Sequence, residues 1–225
     1  MLRWWRTSLI STSSLDPVIQ AAEKVRVRLE RLLQVAACDY ELRLDFGRID
    51  RLGSGQIVMG ITPEQAADAP YMLLKGQALH LLGHYLGDSL AWTDAVRREE
   101  AQGKPLFTAL WHALEDARVE NRLVERWPGT RRAFEAAMLP ALGGSLLKLM
   151  PIKAQIEMGL YLEGRGYRGA QLRHKVLAAL EEVADAIAEG PGGAAPRASF
   201  EAMLRIYSVV RTLLRGERGR GPPLY

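Results

Sequence analysis

Tyr40-Glu-Leu-Arg-Leu-Asp-Phe46 decides whether this chain is all helical. Apolar Tyr40, Leu42, Leu44 and Phe46 alternate with charged Glu41, Arg43 and Asp45, the period of a half-buried strand. Gly53-Ser-Gly55 reads as a turn, and Gln56-Ile-Val-Met-Gly-Ile61 after it reads as a second, more apolar strand. On both sides the period changes to that of a helix. Asp16-Pro17 is a helix start, with Asp as cap and Pro in the first turn. Val18, Ala21, Ala22, Val25, Leu29, Leu32 and Leu33 then carry a helix to about Ala37. Thr62-Pro-Glu-Gln65 has the form of a capping box. Helical patterns follow over 71–86, 92–100, 106–127, 131–141, 151–163, 171–189 and 200–214. The expected fold class is therefore α+β, mainly helical, with a small sheet.

The rest of the composition narrows the classes of function. The chain has 225 residues, 48% hydrophobic and 25% charged, which is the balance of a globular domain able to bury a core without staples. One cysteine, Cys38, excludes a disulfide framework and any Cys-rich zinc site. It reads as a small packing residue. The uncharged run 136–147 is too short for a membrane span, and the start has no apolar core of signal-peptide length. The expected location is cytoplasmic. The segment 211–225 holds Arg211, Arg215, Arg218 and Arg220 against Glu217, so it accounts for most of the net charge of +4. A basic balance confined to one end is no argument for nucleic-acid binding.

Four histidines are present, and two of them form His80-Leu-Leu-Gly-His84. Four residues of helix return to nearly the same face, so two imidazoles so spaced can converge on one metal ion. The ordinary alternative is a pair of helix histidines facing a polar cavity or solvent. A metal site needs a third protein ligand. The helix over 106–127 reads Trp111-His-Ala-Leu-Glu-Asp-Ala-Arg-Val-Glu-Asn121, in which Asp116 and Glu120 share a face. Asp116 ranks first as third metal ligand. Glu120 is the second choice, or the acceptor behind an imidazole N–H. Glu115 points about 100° away from Asp116 and suits a surface pair with Arg118 or Arg122. His112 lies one turn before Asp116 and is a candidate supporting group for the same cleft.

His80-Leu-Leu-Gly-His84 resembles the HExGH helix of the zincin metallopeptidases, with Gln56–Ile61 placed where a zincin has its edge strand. Leu114-Glu-Asp-Ala-Arg-Val-Glu120 followed by Arg126-Trp-Pro-Gly-Thr-Arg-Arg132 resembles the zincin-like N-terminal region of certain von Willebrand factor A proteins. These include the nitric-oxide-reductase activation protein and relatives of the cobaltochelatase large accessory subunit. The resemblance covers 74–134. It implies a zincin-like fold, a bound Zn2+, and work beside a MoxR-type AAA+ ATPase and a von Willebrand A domain protein in metalloenzyme maturation. No Asp-x-Ser-x-Ser motif of such a domain occurs in the sequence.

The pattern departs from a peptidase at one position. Leu81 follows the first histidine where a peptidase has glutamate. Leucine cannot take a proton, and loss of a general base costs on the order of 10²–10⁴ in rate. Glu115 and Glu120 are the candidates for a relocated base. The expected organisation is an N-terminal arm over 1–14, a zincin-like domain over 15–189, a linker over 190–196, a C-terminal helix over 197–214 and a disordered basic tail over 215–225. The leading expectation is a metal-binding, catalytically degenerate interaction or scaffolding module, with His80, His84 and Asp116 as metal ligands. An active zinc-dependent hydrolase and a metal-free helical adaptor are the alternatives.

Overall fold

The computed structural model describes residues 16–142, 146–167 and 171–218. The expected arm over 1–14 and the last residues, 219–225, lie outside them. Helix α1 (Pro17–Ala37) starts where Asp16 Oδ1 accepts the Val18 N–H at 2.9 Å. It runs along the outer edge of a three-stranded sheet formed by β1 (Arg43–Phe46), β2 (Arg51–Gly53) and β3 (Gln56–Met59). Glu30 of α1 accepts the Leu44 N–H at 2.9 Å, and Arg26 and Gln34 donate to the carbonyls of Leu44 and Leu42. Side chains of α1 thus satisfy backbone groups at an edge that would otherwise be open.

The strand order is β1-β3-β2, with β1 parallel and β2 antiparallel to β3. This corrects the placement of 56–61 at a sheet edge: β3 is the middle strand. Ile57, Val58 and Met59 are all buried, so both faces of the middle strand are covered there. β2 has three residues, too few to show a period in sequence.

Helix α2 (Pro63–Asp68) opens with a complete capping box between Thr62 and Gln65. Helix α3 (Tyr71–Leu86) follows, then a 3-10 turn (Ser89–Trp92), α4 (Thr93–Ala101) and the long α5 (Phe107–Arg126). A second 3-10 turn (Pro128–Thr130) leads into α6 (Arg131–Leu142). The remaining helices are α7 (Leu146–Leu149), α8 (Ile152–Gly164), α9 (His174–Glu182), α10 (Ala184–Gly192) and α11 (Pro196–Arg218). The protein is a mainly helical α+β fold with one small mixed sheet. No described helix is long and apolar enough to cross a membrane.

Two segments depart from the sequence reading. The helix expected over 171–189 is interrupted at Val183, so α9 and α10 are separate. The linker expected over 190–196 is instead helical as far as Gly192. Gly190 lies where a Cβ would come within 2.9 Å of Ala202, and Pro191 packs on Gly164. Close packing therefore holds a Gly/Pro stretch that composition alone assigns to a loop. The C-terminal helix also starts earlier and continues to Arg218, through the first residues of the expected tail. Cys38 is exposed at the left-handed C-cap of α1, with φ of 54°, rather than packed.

Two apolar cores result. One lies between α1, the sheet, α3 and α6, around Leu29, Leu44, Ile57, Leu79 and Phe134. The other lies among α5, α8, α9, α10 and α11, around Phe107, Trp111, Leu160, Ile187 and Ile206. Helix α5 serves both, giving Phe107–Leu114 to the second and Leu123 and Val124 to the first. Gly76 lets α3 lie against α6, because a Cβ there would fall 2.3 Å from the Ala133 carbonyl oxygen. Gly83 lets it approach α5 in the same way, with a Cβ only 3.0 Å from Val119. The face of α3 that carries the histidines is thereby set against the middle of α5.

Candidate metal centre

The middle of α5 is polar and buried: Glu115, Arg118 and Glu120 are all under 5% exposed. Unpaired charges so placed are costly, and each of these is paired. Asp116 lies between them on the side facing α3. His84 Nε2 is 3.0 Å from Asp116 Oδ1, and His80 Nε2 is 3.8 Å from the same oxygen. The two imidazoles meet edge to face with centroids 4.8 Å apart. Of the His, Cys, Asp and Glu side chains among the described residues, His80, His84 and Asp116 form the group whose donor atoms converge, all within 4.8 Å of one another.

This set fits a zinc ion. Zinc bonds of 2.0–2.1 Å in a tetrahedron place ligand atoms roughly 3.3 Å apart, and the two separations to Asp116 lie on either side of that value. Two nitrogens and one carboxylate oxygen are a donor set zinc accepts.

Behind each imidazole stands a partner for its other nitrogen. His80 Nδ1 is 2.9 Å from Glu120 Oε1. Glu120 Oε2 accepts from the Tyr161 hydroxyl at 2.7 Å and lies 3.0 Å from Arg165 Nε. His84 Nδ1 is 3.0 Å from Ser89 Oγ, which donates to Glu115 Oε1 at 2.5 Å. Glu115 is held in turn by Arg118, through Nε at 2.8 Å and Nη2 at 2.6 Å.

Charge follows this arrangement. Burial works against a charged His80, but Asp116 and the hydrogen bond to Glu120 outweigh it and raise the imidazole to about 9. Burial works against a charged Asp116 as well, and His80 and His84 nevertheless hold its carboxyl below the usual range. The Tyr161 hydroxyl is pushed up by burial and by the negative Glu120 that it bonds.

His80, His84 and Asp116 come together. Glu120 sits behind His80, on an imidazole nitrogen, rather than among the ligand atoms. Glu115 pairs with Arg118 as expected, but in the interior, because the start of the 3-10 turn and the connection between α10 and α11 cover it. His112 is exposed, packs on the Trp111 ring, and makes no hydrogen bond to the three. Neither base candidate has a free oxygen, since both oxygens of Glu115 and of Glu120 are engaged.

Four residues that sequence reasoning did not single out belong to the site: Ser89, Tyr161, Arg165 and Asp50. Asp50 Oδ1 accepts the Gly60 N–H at 2.6 Å, and its charge acts on His80. It lines a cavity of about 170 Å³ beside His80, together with Gln77, Leu81, Glu120 and Phe134. All four reach the site from other elements, so no local spacing marks them.

No family model, curated protein or solved structure matches the chain.

Proposed function

We propose that this protein binds one divalent metal ion, zinc, through His80, His84 and Asp116, and that it serves as a catalytically degenerate metal-binding domain. The observation that carries this is the facing of Nε2 and Oδ1 at 3.0 Å. With Nδ1 of His84 committed to Ser89, a neutral ring presents a lone pair to a carboxylate oxygen. Two such acceptors at that distance need a cation between them. A metal ion held by both atoms is such a cation. Glu120 and Ser89 orient the two rings, as groups behind metal ligands do.

Degeneracy is supported by Leu81, which has no proton acceptor, and by the full engagement of Glu115 and Glu120. An interaction role beside a MoxR-type AAA+ ATPase and a von Willebrand A domain protein rests on the resemblance of 114–132 alone. It is proposed on that footing. The active-hydrolase reading is favoured by Asp50, a carboxylate on the cavity wall beside His80 with one oxygen outside its bond to Gly60.

The test is elemental analysis of the full chain after zinc loading and dialysis, with His80→Ala/His84→Ala alongside. About one zinc per chain is expected, lost in the double variant. No retained metal in the wild type would overturn the site. The loaded protein is then incubated with a peptide library. No zinc-dependent cleavage is expected, and cleavage would replace the degenerate reading with the hydrolase one.

A further inference from the structure

We infer that Ser89 is a positioning residue for the metal centre, fixing the proton of His84 on Nδ1 so that Nε2 faces the ion. The inference rests on the metal-binding reading.

The hydrogen-bond arithmetic around Ser89 permits one arrangement. Arg118 carries donors only. It meets Glu115 with Nε at 2.8 Å and Nη2 at 2.6 Å, so both Glu115 oxygens accept. Oε1 of that carboxylate lies 2.5 Å from Ser89 Oγ. A serine hydroxyl has one proton, and it goes to Glu115. Only lone pairs are left on Oγ toward His84 Nδ1 at 3.0 Å. The imidazole must therefore donate there, and its Nε2 is the atom left for a metal.

The array is locked from behind. Arg118 Nη2 donates to the Gly87 carbonyl at 3.1 Å and Nη1 to the Ala194 carbonyl at 3.4 Å. A side chain at position 87 would meet Nη2 at 2.8 Å. Ser89, Glu115 and Arg118 are 5%, 0% and 1% exposed, so water does not compete for these bonds. The intervening hydroxyl fixes the tautomer and keeps Glu115 itself one bond away from the ring.

The experiment uses the full chain as wild type, Ser89→Ala and Ser89→Thr. Zinc affinity is measured by competition with a chromophoric chelator, and thermal unfolding is followed without metal. The ring tautomer of His84 is read by long-range 1H–15N NMR of the metal-free protein under alkaline conditions. Ser89→Ala is expected to weaken zinc binding about 10–100-fold and to lose the Nδ1–H signature. Ser89→Thr is expected to restore both. If Ser89→Ala does not fold, Ser89→Cys replaces it, because a thiol is of similar size and a weak acceptor. Wild-type affinity in the variant, or an unchanged tautomer, would overturn the inference even if stability falls. A wild type that binds no zinc would fail the metal reading instead, and the tautomer measurement would then decide the role of Ser89 by itself.

Discussion

His80 and His84 stand one turn apart on the same helix and face the same carboxylate, yet they are held at different removes. His80 gives Nδ1 to a carboxylate directly, and Tyr161 and Arg165 support that carboxylate from behind. His84 gives Nδ1 to a hydroxyl, with the carboxylate and its arginine one bond further away. Each arm ends on a buried guanidinium. In the first arm Glu120 has three partners and shares the negative charge with an imidazole that carries a proton up to about pH 9. In the second arm Glu115 has one cation, Arg118. One histidine is therefore held by a carboxylate directly and the other through a hydroxyl.

The difference has its largest expected consequence in stability. Arg118→Ala leaves Glu115 at 0% exposure without a counter-charge, and breaking such a pair costs roughly 3–5 kcal/mol. Arg165→Ala leaves Glu120 with His80 and Tyr161 and is expected to cost less. Denaturant unfolding of the two variants measures both. Equal losses would break the comparison.

The second consequence concerns pH. On the proposed metal site, zinc would have to displace the proton of His80, so affinity is expected to rise about tenfold per pH unit until about pH 9 and then level off. Stability of the metal-free protein moves in the opposite sense. The folded-state value lies above the ordinary 6.5, so the charged ring contributes fully below pH 6.5, and the contribution is lost as pH rises through 9. Chelator competition across this range, repeated on Glu120→Gln, sharpens the comparison. The break should move to lower pH in the variant, because the hydrogen bond and the charge that raise His80 are reduced. A break that stays in place would assign the shift to Asp116 and Asp50.

The smallest expected effect is that of Tyr161→Phe. It removes one of the three partners of Glu120, at a cost of about 1 kcal/mol in unfolding. Zinc affinity should fall by no more than a few-fold, since Arg165 and His80 still fix the carboxylate. A loss as large as that from Glu120→Gln would make Tyr161 the chief support of that arm.

Much of this centre was legible in the sequence because helical spacing is local. His80 with His84, and Asp116 with Glu120, are each four apart, and the face they share follows from the period alone. The same period misjudged Glu115. Rotation by 100° from Asp116 suggests solvent, but α5 is covered on that side too, by the start of the 3-10 turn and by the Ala194 carbonyl. Ser89, Tyr161 and Arg165 were out of reach, since each depends on how separate segments dock. The fold divides in the same way. Alternation over 40–46 marked the first strand, although only Arg43–Phe46 is strand and Tyr40 is exposed in the turn before it, while β2 is too short for any period. The middle position of β3 is a property of pairing rather than of its residues. The Gly190-Pro191 pair was read as a linker because its packing on Ala202 and Gly164 is equally nonlocal.

His84 and Asp116 are 32 residues apart, and an ion joining them ties off the chain between like a removable staple. Closing a loop of that length removes about 3–4 kcal/mol of freedom from an unfolded chain that stays tied. Helix α4 lies wholly inside the loop and buries Val96 alone. With one buried residue it has little core of its own, and such a staple would help to keep it in place.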